Sequence, residues 1–292
     1  GRGTALLVRV PASILRASEI PAGSVTAASV SSPHLVRHRA FSSRFLGSPR
    51  DLIVYLPPGY GADSRRRYPV LYMHDGQNLF EGETAYVRGH YWRLGEMADM
   101  LIAEGRVEPL VIVGVYNTGS DRLPEYTPTK DPRLGGGLAR AYGRMLVEEV
   151  KPFIDGRYRT DPGRESSGLG GASLGGLVTM FLGLRHADTF GRLAVMSPSV
   201  WWGRRAILRY VAKASPRPAT RIWLDMGTAE SRHGIADTRR LRAALVKAGW
   251  REDVDLAYTE VPGGAHTEAA WGQRVGDVLQ FLYPGDFGEF QL

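Results

Sequence analysis

The chain has 292 residues, 43% hydrophobic and 23% charged, a globular balance in a length that one large α/β domain can fill. It has no cysteine, which excludes disulfides, thiolate metal sites and a cysteine nucleophile. Its net charge of +7 comes from arginine, because Lys130, Lys151, Lys213 and Lys247 are the only lysines. The arginines are scattered, with Arg65-Arg66-Arg67 the tightest run, so no nucleic-acid partner is expected.

Residues 1–32 are modestly apolar and read as an N-terminal arm, with 33–292 as a single domain. The chain opens on Gly1, which suggests a processed end. The stretch "TALLVRVPASILRA" is broken by Arg9, Pro11 and Arg16 and does not read as a secretion signal. No apolar run reaches the roughly 18 residues of a membrane span. The compartment is not fixed by these features, although a soluble, secreted or periplasmic setting is favoured over the cytoplasm.

From there strands and helices alternate. "HLVRHRAFSS" (34–43) and "DLIVYLPP" (51–58) read as strands, the first half exposed. "YPVLYMHD" (68–75) and "EPLVIVGVYN" (108–117) are continuous apolar runs, as parallel strands covered on both faces require. Trp92, Met97, Met100 and Leu101 suit a helix between them. Tyr142, Leu146, Val150, Phe153 and Ile154 recur at helical spacing. "SGLGGAS" then reads as a short strand and "LGGLVTMFLGLRHA" as the helix leaving it. "RLAVMSPS", "RIWLDMG" and "VDLAYTEV" are further strands, with helices expected over 204–212, 237–248 and 269–282. Strict alternation with buried strands predicts a mostly parallel sheet covered by helices on both faces.

Chemistry falls on the strand ends. Gly171-Ala172-Ser173-Leu174-Gly175 fits Gly-x-Ser-x-Gly at a strand-to-helix junction, where a strained serine is presented as a nucleophile. A flexible Gly/Ser turn is the plainer reading of the same five residues. Glu230 follows "RIWLDMG", and His266 follows the last strand, giving the chain order Ser, acid, His. A serine hydroxyl needs an imidazole to take its proton, and the imidazole needs a carboxylate to fix its tautomer. Asp225 rivals Glu230 but lies inside its strand, and His233 rivals His266 from the acid's own loop. The backbone amides of Leu174 and of Gln77, in "HDGQN", are expected to stabilise an oxyanion. His74 with Asp75 lacks a third ligand at metal-site spacing, so no metal or cofactor is expected. No Gly-x-Gly-x-x-Gly spacing for a dinucleotide is present at the glycine stretch.

"LPPGY", "YPVLYMHDGQNLF", "GASLGGL", "SPSVWW", "GTAE" and "VPGGAHTEAAW" occur in that order. Together they resemble the esterase family of α/β-hydrolases that includes enterochelin esterases, esterase D, feruloyl and acetylxylan esterases and the mycolyltransferases. The resemblance covers about residues 34 to 283. It implies an α/β-hydrolase fold and a serine esterase, with Ser173 as nucleophile, Glu230 as acid, His266 as base and the amides of Gln77 and Leu174 as oxyanion donors. It also implies a small-molecule or polymer-borne ester as substrate, with Trp201 and Trp202 walling its pocket. Two adjacent tryptophans cannot point the same way in extended chain, so one is expected in the core and Trp201 against substrate. Arg122 is expected to add attraction for an anionic ester. An acyltransferase with the same triad, or a non-catalytic binding module on the same scaffold, are the alternatives.

Overall fold

The computed structural model describes residues 34–214 and 217–286; the expected arm over 1–32 lies outside them. The chain enters on the strand Leu35–Phe41 (β1), turns back through Arg50–Tyr55 (β2) and goes inside at Val70–His74 (β3). The helix Leu94–Ala103 (α1) then leads to Val111–Val115 (β4). A surface excursion follows, made of a short helix Arg122–Glu125 (α2) and the two-residue strands Lys130–Asp131 (β5) and Gly135–Gly136 (β6). The helical stretch Ala139–Met145 (α3) continues through a π-helical turn, Leu146–Val150, into Lys151–Asp155 (α4). Next come Ser167–Ala172 (β7), Leu174–Arg185 (α5), Arg192–Met196 (β8), Trp202–Ala212 (α6), Arg221–Gly227 (β9), Arg232–Lys247 (α7), Leu256–Val261 (β10) and Glu268–Leu282 (α8).

Eight strands form one sheet in the order β1-β2-β4-β3-β7-β8-β9-β10. The β1–β2 and β2–β4 pairs are antiparallel, and every pair from β4 to β10 is parallel. Strands β3, β4 and β7 are buried along their whole length, as their lack of apolar alternation requires. Two apolar clusters cover the sheet. One, around Tyr72, Leu146, Val178, Phe181 and Leu224, packs under α3, α5, α6 and α7. The other, around Leu71, Leu94, Leu101, Val275 and Leu279, packs under α1 and α8. This is the α/β-hydrolase fold, with all parallel strands ending on the same edge.

Three details differ from the sequence expectations. The helix expected over 237–248 starts at Arg232, because Ser231 caps it by accepting from the amide of Gly234 at 2.9 Å. The helix expected over 204–212 is entered through Gly203, Arg204 and Arg205, whose φ angles of 55°, 56° and 61° are left-handed. The resemblance sets both tryptophans at the pocket wall, but Trp202, 1% exposed, is the inward one of the expected pair and donates its indole N–H to the Thr129 carbonyl at 3.0 Å, while Trp201 is 54% exposed. Buried indoles need such an acceptor, and the inward ring is therefore core, not pocket wall.

Candidate active site

Ser173 sits between β7 and α5 with φ 61° and ψ −122°, a conformation that costs a non-glycine residue about 1–3 kcal/mol. The surroundings hold it there. Its amide donates to the Met196 carbonyl at 3.1 Å, and its carbonyl accepts from Leu177 and Ser199 at 3.1 and 3.0 Å. The glycines permit close approach: a Cβ on Gly176 would stand 2.6 Å from the Met196 carbonyl oxygen. Helix α5 can therefore start directly against the ends of β7 and β8.

The two other strand-end residues converge on this serine. Ser173 Oγ lies 3.0 Å from His266 Nε2, and His266 Nδ1 lies 2.6 Å from Glu230 Oε2. The imidazole also meets the Trp271 ring edge-on at 4.9 Å between centroids, which fixes its plane. The Glu230 side chain is 2% exposed, and its other oxygen accepts from the Gly227 amide at 2.9 Å and from the Ser197 hydroxyl. Burial pushes this carboxyl up, but the bonds from His266, Ser197 and Gly227 outweigh that and hold it below its ordinary range. Asp225 makes no such contact; it is enclosed by Trp223, Ser197 and Arg274. His233 stands at the cleft wall, away from Ser173 and Glu230 hydrogen bonding among the described residues.

The expected oxyanion donors lie on the other flank. Register pairs Met73 of β3 with Gly170 of β7, so the loops beyond the two strands are neighbours. Leu174 is the first residue of α5, and a first-turn amide has no acceptor within its own helix. Gln77 is in a short 3-10 turn, Gly76–Asn78, that crosses β4 so closely that a Cβ on Gly76 would stand 2.5 Å from the Gly114 carbonyl carbon. The Gln77 side chain accepts from the Asn117 amide at 3.2 Å, and its carbonyl accepts from Thr84 at 2.8 Å. Before it, Asp75 is left-handed at φ 57° and is gripped by Arg122 through two bonds of 2.7 and 2.8 Å. Burial would raise the Asp75 carboxyl; Arg122 and the Asn117 amide lower it below its usual range. Arg122, expected to attract an anionic ester, has its fork taken by Asp75.

His74 is enclosed in the fold behind this loop. Its Nδ1 meets the Tyr142 hydroxyl at 2.9 Å, and burial lowers the imidazole to about 3, which keeps it neutral. Among the described residues no three His, Asp or Glu side chains gather as a metal site, and no helix is long and apolar enough to cross a membrane.

A cleft of about 310 Å³ opens beside His266, between the loops after β8 and β9. Pro198, Val200, Trp201 and Met226 give it apolar walls, and Ser199, Ser231, His233 and Asp237 give it polar ones. Ser199 Oγ is 3.5 Å from Ser173 Oγ, which ties the cleft to the nucleophile.

A family model described as "Putative esterase" matches residues 43–282. The sequence is 27% identical over 262 residues to the uncharacterized protein YbbA of Bacillus subtilis strain 168, spanning 85% of this chain and 96% of that protein. It is also 27% identical over 254 residues to an endo-1,4-β-xylanase/feruloyl esterase of Xylanibacter ruminicola, spanning 85% of this chain and 31% of that protein. Among solved structures, the BES protein from Bacillus cereus is similar with a TM-score of 0.68 and 21% identity, covering 89% of this chain and 99% of that one.

Proposed function

The chain belongs to that esterase family, a family of carboxylic ester hydrolases, and from this premise we propose that it cleaves its ester through an acyl-Ser173 intermediate. The observation that carries the reading is the unbroken hydrogen-bond line Ser173 Oγ, His266, Glu230. Ser173 Oγ attacks the ester carbonyl carbon while its proton passes to His266 Nε2. Glu230 holds the imidazole with Nδ1–H toward itself and stabilises the positive ring. The carbonyl oxygen, now negative, is received by the amides of Leu174 and Gln77. Collapse breaks the ester bond, and the leaving alcohol takes the proton from Nε2. Water then attacks the acyl carbon with His266 as base again, releasing the acid and restoring the Ser173 hydroxyl.

The substrate is a small-molecule or polymer-borne ester that carries a ring. The exposed indole of Trp201 at the cleft offers a flat apolar wall, and stacking on it contributes about 0.5–1.5 kcal/mol beyond area burial. The feruloyl esterase in the name of the Xylanibacter relative supports an aromatic acyl or alcohol group. Arg122 has no part in substrate recognition in this reading; it holds Asp75, at the start of the loop that carries the Gln77 amide.

A fluorophosphonate probe tests the mechanism. Mass spectrometry is expected to find the label on Ser173, and a label on another residue overturns the assignment. A panel of aryl, acetyl-sugar, feruloyl and catechol esters then ranks the substrate classes.

A further inference from the structure

Arg274 lies on α8, less than one turn beyond Trp271, with a side chain only 4% exposed. Its Nη2 donates to Asp225 Oδ1 at 3.0 Å and stands in ion-pair contact with Glu230 Oε1 at 3.3 Å, and its Nε donates to Asp225 Oδ2 at 3.2 Å. Two buried carboxylates therefore meet at one guanidinium nitrogen. The Ser197 hydroxyl completes the cluster. It accepts from Trp271 Nε1 at 3.0 Å and from Arg274 Nη2, neither of which can accept in return. Its own proton is thereby directed to Glu230 Oε1.

Charge counting shows what the arginine does. Asp225 and Glu230 contribute two negative charges and Arg274 one positive, leaving one negative charge for the imidazolium that forms during attack. Without the guanidinium, two carboxylates this close and this buried retain a proton between them. A proton on Glu230 removes the acceptor that faces His266 Nδ1. We propose that Arg274 is a positioning residue that keeps the Asp225–Glu230 pair free of a proton and so sets the lower pH boundary of the triad. This inference rests on the esterase reading of Ser173, His266 and Glu230. The two carboxyls respond to their surroundings in opposite senses, Asp225 raised by burial against the pull of Arg274 and Glu230 lowered.

The other charged groups nearby have partners elsewhere. On α7, Asp237 faces the cleft with His233 and is bonded by both Arg205 and Arg240 at 2.6 Å. On α8, Glu268 reaches toward Asn78 at 3.5 Å. Glu260 of β10 is paired with Arg239. Among the described residues, Arg274 is the permanent cation in contact with Glu230.

The test follows the rate at which a fluorophosphonate labels Ser173 from about pH 5 to about pH 9, where the acid limb reports loss of the free base. Arg274→Met removes the positive charge, and the limb is expected to move up by roughly one pH unit. Asp225→Asn removes a negative charge and is expected to move it down. Arg274→Lys keeps the charge and leaves the limb in place, whatever it does to the maximal rate. The double variant Arg274→Met/Asp225→Asn restores the original charge and returns the limb to its starting position. If Arg274→Met does not fold, the downward shift in Asp225→Asn decides the matter. An unmoved limb in Asp225→Asn, or in a folded Arg274→Met, overturns the proposal. Absence of labelling at Ser173 in the unaltered protein overturns the esterase reading instead.

Discussion

On the β3 side of Ser173 the backbone is held by short bonds on every side. Asp75 is gripped by Arg122 and Asn117, its amide donates to Tyr126 Oη at 3.1 Å, and Gly76 presses on Gly114. On the β9 side there is a cleft, with a half-exposed His266 and an exposed Trp201. An arginine serves each flank, yet they serve different ends. Arg122 bonds to Asp75 at the start of a backbone loop, and Arg274 is proposed to set how much charge sits behind the imidazole. In the proposed reaction the flank with the Gln77 amide is the densely bonded one, and the flank that admits substrate is the open one.

The largest test of that division removes the residue both flanks share. Ser173→Ala is expected to lower kcat on a p-nitrophenyl ester by roughly 10³-fold or more, since triad members act as a unit. Full activity in that variant would leave neither flank a purpose in the reaction. Next in size is a pair on the open flank. His266→Ala is expected to cost roughly 10³-fold in kcat, while His233→Ala, altered in the same cleft, retains most activity. The reverse pattern would move the base to the cleft wall.

Glu230→Gln is expected to cost roughly 10²-fold, because the amide can favour the wrong imidazole tautomer while the nucleophile stays in place. Asp225→Asn should cost less at the pH optimum. A more damaging Asp225→Asn would make the strand residue the acid. On the closed flank, Arg122→Ala is expected to lower kcat by about tenfold with KM little changed, as a loosened Gln77 amide would produce. A rise in KM confined to anionic esters would instead return Arg122 to substrate binding. The smallest effect belongs to the open wall. Trp201→Ala should reduce kcat/KM for ring-bearing esters several-fold to tenfold more than for a simple acetate, with Tm preserved. Equal losses on both esters would make this ring structural.

The layered fold and the strand ends were legible because buried parallel strands leave continuous apolar runs, and Ser173, Glu230 and His266 each stand within a few residues of one. What stayed hidden was pairing across long stretches of chain. Nothing local marks Arg274 as different from any charged residue on a helix; only the packing of α8 over β8 and β9 brings it to Asp225 and Glu230. Arg122 was visible as a charge near the site, but its partner, 47 residues earlier, was not. Adjacent Trp201 and Trp202 could be seen to diverge, whereas the left-handed entry through Gly203 to Arg205 obeys no short-range preference.

The strand order also governs when such a site can exist during biosynthesis. Strand β3 is made early, but Val70 waits for Ser167 of β7 to close its second edge. His266 arrives later still, after β10, and Arg274 after it on the last described helix. A nascent chain therefore carries a central strand with one open edge until β7 is made, a surface on which chaperones act and aggregation begins. Such non-local pairing also makes folding slow. In refolding, esterase activity should appear only once β9, β10 and α8 have all docked on the sheet, and so trail the recovery of helical signal, a lag visible by stopped-flow.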